Sequence, residues 1–315
     1  MRRGAPETIR RRSWGLGRTL ETFPEGERAM RRVRVLKRLS HIDPRQVARY
    51  VSVRTRKWLR LSRTRNSVVA KLPVFVVGCN RSGTNMVCKA IGASAHGWDY
   101  PERQFSVAFN GYYLRPDRII EWLIRLTPAP IVTFGSILDS QFTDDLLSRF
   151  GGSRAIWVYR RYEDVANSCA RTQWSHQMKD IARWVARGEL RRLGARGHRI
   201  GRDTQLLFAQ LFREDLTDEE SACLYWYMRN RLYFDLHLDT DPRVLIVQYE
   251  DAAVNKEKAF RRIFRFLGFP FDPVILDGVF ATSVGKHPAP AIEPSIREMC
   301  DDLTARLDAR YVHTT

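Results

Sequence analysis

The sequence lacks any long run of apolar residues. No stretch of about 18 consecutive apolar residues occurs, which is the length that a helix needs to cross a bilayer. The basic amino-terminal stretch is not followed by the apolar segment of a secretory signal. We therefore expect neither a transmembrane span nor a signal peptide. The expected location is the cytoplasm, and peripheral contact with a membrane stays open.

Cysteine is scarce and unpaired in its spacing. The five cysteines are Cys79, Cys88, Cys169, Cys223 and Cys300, and none of them forms a C-x-x-C pair. An odd and scattered set argues against a disulfide framework and against a zinc site. The sequence therefore predicts a protein of a reducing compartment with neither disulfide bonds nor a cysteine-based zinc site.

Positive charge is abundant but unevenly placed. The 315-residue chain has a formal net charge of +18. Residues 1–70 hold 20 Lys or Arg against five acidic residues, whereas the remaining 245 residues hold 33 against 30. We expect residues 1–70 to be a basic, partly helical or loosely ordered extension, and residues 71–315 to form the main domain.

The extension contains a basic amphipathic segment at residues 29–61. Its apolar residues recur at roughly helical spacing, with Lys and Arg between them and a break near Asp43-Pro44. Three interpretations stay open: a helical extension packed on the main domain, contact with an anionic membrane surface, and nucleic-acid binding. No base-reading or stacking motif accompanies the charge, which disfavours nucleic acid.

From residue 72 onward, strand patterns alternate with helix patterns. Strands are predicted at residues 74–77, 131–134, 155–159 and 244–248. Helices are predicted at residues 84–93, 117–126, 164–171, 176–187, 218–237 and 256–267. Such alternation indicates parallel β-α-β units. The predicted fold is α/β, with a central parallel sheet between two layers of helices.

The stretch VFVVGCNRSGTNM at residues 74–86 joins the first strand to the first helix. Gly78 and Gly83 frame a strand-GxxxxG-helix pattern, in which backbone N–H groups and a helix amino terminus favour an anion. A Walker loop has Lys after the second glycine, but this chain has Thr84. The side-chain donors of the loop are Arg81, Ser82, Thr84 and Asn85. A tight structural turn is the alternative interpretation.

A second candidate anion site is the stretch WVYRRYEDVANSCAR at residues 157–171. The predicted strand ends in Arg160-Arg161, where a metal-dependent NTPase often places an acidic metal ligand. Arginine at a strand end can bind phosphate with a forked geometry, and Ser168 on the following helix adds a hydroxyl. The alternative is that both arginines are simply solvated.

These two stretches resemble the motifs of sulfotransferases that use 3′-phosphoadenosine 5′-phosphosulfate (PAPS). NRSGTN is similar to the 5′-phosphosulfate loop P-[KR]-S-G-T-[TN], with Asn80 in place of proline. YRRYEDVANS is similar to the 3′-phosphate motif R-x-P-x-D-x-x-x-S, with Arg160, Asp164 and Ser168 on the matching positions and Tyr162 in place of proline.

Three further matches follow in the family's order: a W-x-x-x-N helix (Trp226, Asn230), a strand with Y-E-D and F-L-G, and SVGK at 283–286. The resemblance covers about residues 72–290. It implies a P-loop-like fold, PAPS as co-substrate and no metal. In this interpretation the 80–85 loop, including Gly83, binds the 5′ phosphosulfate of PAPS. Arg160 and Ser168 bind its 3′ phosphate. The SVGK loop closes over the nucleotide and brings Lys286 to the 3′ phosphate, and Arg81 stabilises the leaving oxygen.

The resemblance also suggests a general base. Carbohydrate-type and some bacterial members carry a glutamate in the loop where WDYPERQF places Glu102, and Glu102 is therefore the predicted base. The alternative to a catalytic role is that Glu102 is an exposed loop residue that forms an ion pair with Arg103. His96, His176 and Asp99 are alternative bases. The second strand has neither the histidine of the cytosolic class nor a nearby lysine.

The resemblance implies an acceptor hydroxyl, or alternatively an amine, of a carbohydrate or lipid-linked molecule. Residues 172–215 are predicted to form a helical insertion that caps the acceptor site. Two rival functions stay open. One is a P-loop-like nucleotide kinase or NTPase. The other is a non-catalytic nucleotide-binding or nucleic-acid-binding protein that uses its basic arm.

Overall fold

The computed structural model describes residues 44–63, 70–172 and 175–313. Residues 61–315 form the larger of the two units into which the chain divides. The amphipathic segment predicted at 29–61 lies partly outside the described residues, and its described part belongs to helix α1 (Pro44–Arg63). None of the described helices combines the length and the apolar composition that a membrane crossing requires.

The remaining elements alternate along the chain. The strands of the described residues are β1 (Leu72–Gly78), β2 (Gly97–Tyr100), β3 (Phe109–Asn110), β4 (Tyr113–Leu114), β5 (Ile131–Gly135), β6 (Arg154–Tyr159) and β7 (Val244–Gln248). The helices are α2 (Thr84–Ala93), α3 (Asp117–Leu126), α4 (Thr143–Arg149), α5 (Tyr162–Ala170), α6 (Ser175–Ala186), α7 (Arg202–Leu211), α8 (Asp218–Asp235), α9 (Tyr249–Val254), α10 (Lys256–Leu267) and α11 (Pro294–His313). Short 3-10 segments span Ser140–Phe142, Leu190–Arg199 and Pro273–Gly278.

Five strands form one sheet in the order β2-β5-β1-β6-β7, and every neighbouring pair is parallel. β3 and β4 form a separate antiparallel hairpin. Strands β2 and β5 lie on one side of β1, and β6 and β7 lie on the other. The order in which the chain forms the sheet therefore switches sides beside β1. A parallel sheet carries its ligand sites at the carboxyl ends of the strands, next to such a reversal.

Apolar side chains cover both faces of the sheet. Successive side chains of a strand point to opposite faces, and in β1 Phe75 and Val77 join one apolar cluster while Val74 and Val76 join another. Side chains of α3 to α8 and α11 enter the first cluster, and side chains of α2, α9 and α10 enter the second. The structure thus confirms the predicted α/β fold with a parallel sheet between two helical layers.

The predicted elements are present with small shifts. The strand predicted at 131–134 is Ile131–Gly135, and the helices predicted at 176–187 and 218–237 are Ser175–Ala186 and Asp218–Asp235. Their apolar residues identified these elements, because Ile131–Gly135 is buried on both faces of the sheet and Asp218–Asp235 is buried along most of its length.

Several elements were not predicted: β2, the β3–β4 hairpin, α4 and α11. β2 is four residues long and contains Asp99, so it shows no apolar run, and its pairing with β5 makes it a strand. The sequence did contain a signal for α11, because its buried residues Ile296, Cys300, Leu303 and Leu307 have helical spacing.

The last residue of β1 must be glycine to let β6 approach. Gly78 has φ 137°, and a Cβ added there would lie 2.2 Å from the carbonyl oxygen of Val158. We expect Gly78→Ala to lower the free energy of unfolding by more than about 2 kcal/mol, measured by chemical denaturation. Gly151→Ala is the matched control, because a Cβ at Gly151 meets nothing within 4 Å. Equal stability losses in the two variants would contradict this account.

Candidate active site

The carboxyl edge of the sheet gathers the segments that were singled out from the sequence. The loop after β1 contains Arg81, the segment after β2 contains Glu102, and Arg160 directly follows β6. Ser168 lies on α5, the helix that follows β6. Because all five strands are parallel, these positions lie at one edge although they are distant in sequence.

The loop between β1 and α2 has the backbone of an anion-binding turn. Arg81 and Gly83 both have positive φ, 66° and 86°, and Gly83 is the residue that precedes the first turn of α2. The first N–H groups of a helix have no partner within the helix and carry partial positive charge. Thr84 and Ser82 are both buried.

Two tyrosines fix this loop from outside. The Tyr225 hydroxyl of α8 donates a hydrogen bond to Asn80 Oδ1 at 2.8 Å. Asn80 stands where the family motif has proline, so a side-chain hydrogen bond here holds a position that proline restrains covalently. The Tyr249 ring lies against Gly83, where an added Cβ would come within 2.1 Å of Tyr249 Cδ2.

The two predicted anion sites contact each other. Arg81 Nε donates a hydrogen bond to Ser168 Oγ at 2.8 Å, although the two residues were assigned to opposite ends of the nucleotide. The Arg81 side chain is exposed and Ser168 is partly buried. An anion at this edge would therefore meet Arg81 and Ser168 together.

Arg160 is the buried centre of a polar cluster and is only 6% exposed. Its guanidinium donates to the carbonyl oxygens of Arg81, at 3.2 Å, and of Ser283. Asp164 Oδ2 lies 3.3 Å from Arg160 Nη2, and Glu250 Oε1 lies 3.9 Å from Arg160 Nε. The internal carboxylates already compensate the charge of Arg160, so its part in binding phosphate stays a prediction.

The Y-E-D stretch after β7 contributes to this cluster, which the sequence did not indicate. The Tyr249 ring centroid lies 4.6 Å from the Arg160 guanidinium carbon, within the range of a cation–π contact. Glu250 Oε1 accepts a hydrogen bond from Arg161 N at 3.1 Å. Burial raises the pKa of Glu250, while Arg160 and the Arg161 N–H act in the opposite direction.

The segment predicted to close over the nucleotide is held against α5. Ser283 O accepts from Arg160, Gly285 N donates to Asp164 Oδ2 at 3.3 Å, and Asn167 Nδ2 donates to Pro288 O at 3.0 Å. The Lys286 side chain is exposed, and among the described residues it has no hydrogen-bond or ion-pair partner. The nucleotide contact of Lys286 stays a prediction.

Glu102 lies in the segment that follows β2 and is partly buried. Its Oε1 accepts a hydrogen bond from Leu138 N at 2.8 Å, and Leu138 follows β5. No ion pair with Arg103 is present among the described residues, so the structural alternative for Glu102 is not realised. Burial raises the pKa of Glu102 to about 7, and the hydrogen bond from Leu138 opposes this rise. A carboxyl with this pKa can accept a proton near neutral pH.

Sequence reasoning missed two charged neighbours of Glu102. Burial raises the pKa of Asp139 to about 6, and Asp139 in turn raises the pKa of Glu102. Arg229 on α8 is buried and donates to the carbonyls of Gly78, at 3.3 Å, and Ile137, as well as to Gln141 Oε1. No motif marked them, because their roles depend on which loops α8 meets.

The alternative bases lie elsewhere. The backbone oxygen of His96 accepts from Ile131 N, the first residue of β5, so His96 is at the amino edge of the sheet. Asp99 is buried within β2, packed so closely on Gly92 of α2 that a Cβ there would meet it at 2.4 Å. His176 is exposed near the start of α6. Of the four candidates, Glu102 combines burial with a position at the carboxyl edge.

Comparison with known families identifies the domain. The family model described as Sulfotransferase domain matches residues 71–286, which is more than half of the chain. The chain belongs to the sulfotransferase family. This confirms the resemblance inferred from the loop and helix motifs, and it makes the protein a transferase by family.

The sulfotransferase also has similar solved structures. The sulfotransferase domain of the Synechococcus PCC 7002 olefin synthase is 14% identical, with coverage of 76% of this chain and 96% of that one and a TM-score of 0.46. A sulfotransferase from Alicyclobacillus acidocaldarius is 17% identical, with coverage of 77% and 95% and a TM-score of 0.43. Mouse sulfotransferase SULT7A1 complexed with PAP is 15% identical, with coverage of 76% and 73% and a TM-score of 0.35. A search among curated proteins finds no significant match.

Helix α8 of this sulfotransferase carries Trp226 and Asn230, which contact β6 and Arg160 from the core side of the sheet. Trp226 Nε1 donates to the carbonyl oxygen of Arg160 at 2.8 Å, and Asn230 Oδ1 accepts from Trp157 Nε1 at 3.4 Å. Both residues are buried, so they position β6 and Arg160 from the side of the core. Across residues 44–63, 70–172 and 175–313, no cluster of three or more His, Cys, Asp or Glu could hold a metal ion.

Proposed function

We propose that this sulfotransferase moves the sulfuryl group from PAPS to a hydroxyl of a carbohydrate or lipid-linked acceptor. One observation carries the proposal: the Arg81–Ser168 hydrogen bond joins two separate groups of anion donors at the same sheet edge as the partly buried Glu102. A triphosphate would need one cradle and a metal, whereas PAPS presents a 5′ phosphosulfate and a separate 3′ phosphate. Screening acceptors with labelled PAPS tests the acceptor class, and an amine acceptor is its second outcome.

The residues at the loop fit such a co-substrate. Ser82 and Thr84 are buried in the loop, and a side chain in place of Gly83 would collide with Tyr249. In this proposal Arg81, Ser82, Thr84 and Asn85 with the loop N–H groups hold the 5′ end. Arg160 and Ser168 hold the 3′ phosphate, with Lys286 approaching from the closing segment. The co-substrate itself supplies the activated sulfuryl group.

In the proposed chemistry Glu102 accepts the proton of the acceptor hydroxyl. The acceptor oxygen forms a bond to sulfur while the bond from sulfur to the 5′-phosphate oxygen breaks. Arg81 and the loop N–H groups stabilise the charge that develops on the departing oxygen. The buried surroundings of Glu102 keep it a stronger base than an exposed glutamate, because its conjugate acid has the higher pKa.

We expect Arg160→Ala to weaken binding of adenosine 3′,5′-bisphosphate by tenfold or more. A charge-assisted hydrogen bond is worth about 1.5–3 kcal/mol, and the variant also releases the Arg81 carbonyl that Arg160 holds. Calorimetry in the presence of a chelator measures this affinity. A requirement for magnesium, or a preference for ATP, would favour the rival kinase or NTPase function.

The chain offers a matched control for this variant. Arg161→Ala removes the neighbouring arginine, which is exposed and lies 3.7 Å from Glu163, and should change the affinity less than twofold. Because Arg160→Ala leaves Asp164 and Glu250 without their cation, Ser168→Ala provides a gentler second variant that should weaken binding about three- to tenfold. Unchanged affinity in both Arg160→Ala and Ser168→Ala would overturn the 3′-phosphate assignment.

We expect Glu102→Gln to reduce kcat by at least about a hundredfold, because glutamine cannot accept the acceptor proton. In the unmodified enzyme, kcat/KM should fall as pH drops below about 7, where Glu102 becomes protonated. Steady-state kinetics over pH 5–9, roughly two units to either side of that pKa, measure both effects.

Glu102→Gln should leave adenosine 3′,5′-bisphosphate binding intact. The glutamine oxygen can still accept from Leu138 N, and the variant avoids the cost of burying a charge, so we expect no loss of thermal stability above pH 7. Wild-type turnover by a folded Glu102→Gln protein would place the base elsewhere.

We also propose that the basic segment 29–61 brings the enzyme to an anionic membrane surface. In the described part of α1, Arg54, Arg56, Lys57, Arg60 and Arg63 supply charge, while Val53 and Leu59 are exposed. Each basic residue near an anionic bilayer contributes about 1 kcal/mol at low salt. The full chain should therefore sediment with phosphatidylserine vesicles and not with phosphatidylcholine vesicles, and salt should release it. Equal recovery with both vesicles would contradict the proposal.

A further inference from the structure

The loop after β1 begins with a tight turn at residues 79–82. Ser82 N donates to Cys79 O at 3.3 Å, which closes the turn around Asn80 and Arg81. Arg81 has φ 66°, whereas the φ of Asn80 is not positive. A positive φ at the second central residue alone is the pattern of a type II turn, which favours proline first and glycine second. This chain has neither residue at these two positions.

Arg81 therefore holds a backbone conformation that its Cβ disfavours. A residue other than glycine at positive φ is sterically costly, and it persists where the surrounding structure fixes it. The carbonyl oxygen of Arg81 accepts from Arg160 Nη1 at 3.2 Å, and its Nε donates to Ser168 Oγ at 2.8 Å. Both contacts act on the second half of the turn.

The first half of the turn is held from α8. Tyr225 Oη donates a hydrogen bond to Asn80 Oδ1 at 2.8 Å. Tyr225 is buried, and burial raises its pKa to about 12, so its hydroxyl keeps its proton at neutral pH and remains a donor. Arg229, one turn further along α8, donates to Gly78 O at 3.3 Å. Helix α8 thus contacts the chain directly before the turn and at its first central residue.

We infer that Tyr225 is a positioning residue for the anion-binding loop. Its hydrogen bond to Asn80 restrains the turn as a proline at position 80 would, and the restrained turn presents Arg81 and the loop N–H groups to the 5′ phosphosulfate. This inference rests on the proposed function for the identity of the anion. Proline restrains its φ covalently, whereas the hydrogen bond does so through a contact between distant segments.

Hydrogen exchange of the full chain without ligand tests the restraint of the turn. The Ser82 amide donates the hydrogen bond that closes the turn, so its exchange rate reports how often the turn opens. We expect Tyr225→Phe to speed this exchange about twofold to tenfold, which is the effect of losing one neutral hydrogen bond.

Tyr227→Phe is the matched control for this variant. Tyr227 lies on the same helix, and Tyr225 and Tyr227 are 6% and 7% exposed. The Tyr227 hydroxyl contacts Arg231 of α8, at 2.9 Å, and not the loop. Its loss should therefore change the exchange of the Ser82 amide less than about twofold. Unchanged exchange in Tyr225→Phe, or equal changes in the two variants, would overturn the inference.

Asn80→Pro should rescue Tyr225→Phe. Proline supplies the restraint on φ that the hydrogen bond provided, so the double variant should exchange the Ser82 amide within about twofold of the wild-type rate. The Asn80 N–H that proline lacks contacts the Cys79 sulfur, a weak acceptor, and its loss should cost little. Absence of rescue in a folded double variant would contradict the inference.

Asn80→Ala gives a second cycle that does not depend on proline. It removes the acceptor and adds no restraint, so alone it should match the effect of Tyr225→Phe. The combination of Asn80→Ala with Tyr225→Phe should add nothing further, because both variants remove the same hydrogen bond. Effects that add would show that Tyr225 and Asn80 act independently, and the inference would be wrong.

Nucleotide binding tests the consequence for the site. Tyr225→Phe should weaken adenosine 3′,5′-bisphosphate about twofold to tenfold, and Asn80→Pro should restore the affinity. Adenosine 3′-monophosphate lacks the phosphate assigned to the loop, so its affinity should change less than about twofold in competition calorimetry. Equal weakening of both nucleotides would mean that Tyr225 supports the domain in general, which would overturn the inference.

The outcomes for Tyr225 and for the proposed function are separable. Failure of the wild-type chain to bind adenosine 3′,5′-bisphosphate would overturn the proposed function, while the exchange of the Ser82 amide would still decide whether Tyr225 restrains the turn. Binding by the wild type with unchanged affinity in Tyr225→Phe would overturn the inference and leave the proposed function standing.

Discussion

The burial of both faces of the sheet is the constraint on which the rest of the structure depends. Apolar side chains of β1, β5 and β6 enter one apolar cluster or the other, and a polar group buried between these clusters costs free energy unless it is hydrogen-bonded. Arg81, Glu102 and Arg160 lie beyond the carboxyl ends of the strands, in the segments that follow β1, β2 and β6.

Arg229 joins the parts of this edge. Its buried guanidinium donates to Gly78 at the end of β1 and to Ile137 beyond β5. Removing one partner of a buried charge costs much more than the net value of the contact. A residue that no motif marks therefore connects the end of β1 to the segment after β5 that contacts Glu102.

Electrostatics divides the basic residues of the site into two kinds. Arg160 is buried among Asp164, Glu250 and two carbonyl oxygens, and it connects β6, the loop after β1 and the segment at 283–285. Arg81 is exposed and donates a hydrogen bond to Ser168, and it has no carboxylate partner among the described residues. The charge of Arg160 is thus compensated by carboxylates within the protein, whereas the charge of Arg81 is not.

The sequence by itself determined the fold class and the location of the glycine-rich loop and of Arg160 in segments that follow strands. It could do so because apolar periodicity and motifs such as NRSGTN are local and depend on neighbours a few residues away. The short strand β2 was missed because pairing with β5, not its own residues, makes it a strand. The Arg81–Ser168 contact, the raised pKa of Glu102 and the contacts of Arg229 were decided by tertiary structure alone. They depend on burial and on contacts between segments far apart in the chain, and no local pattern encodes them.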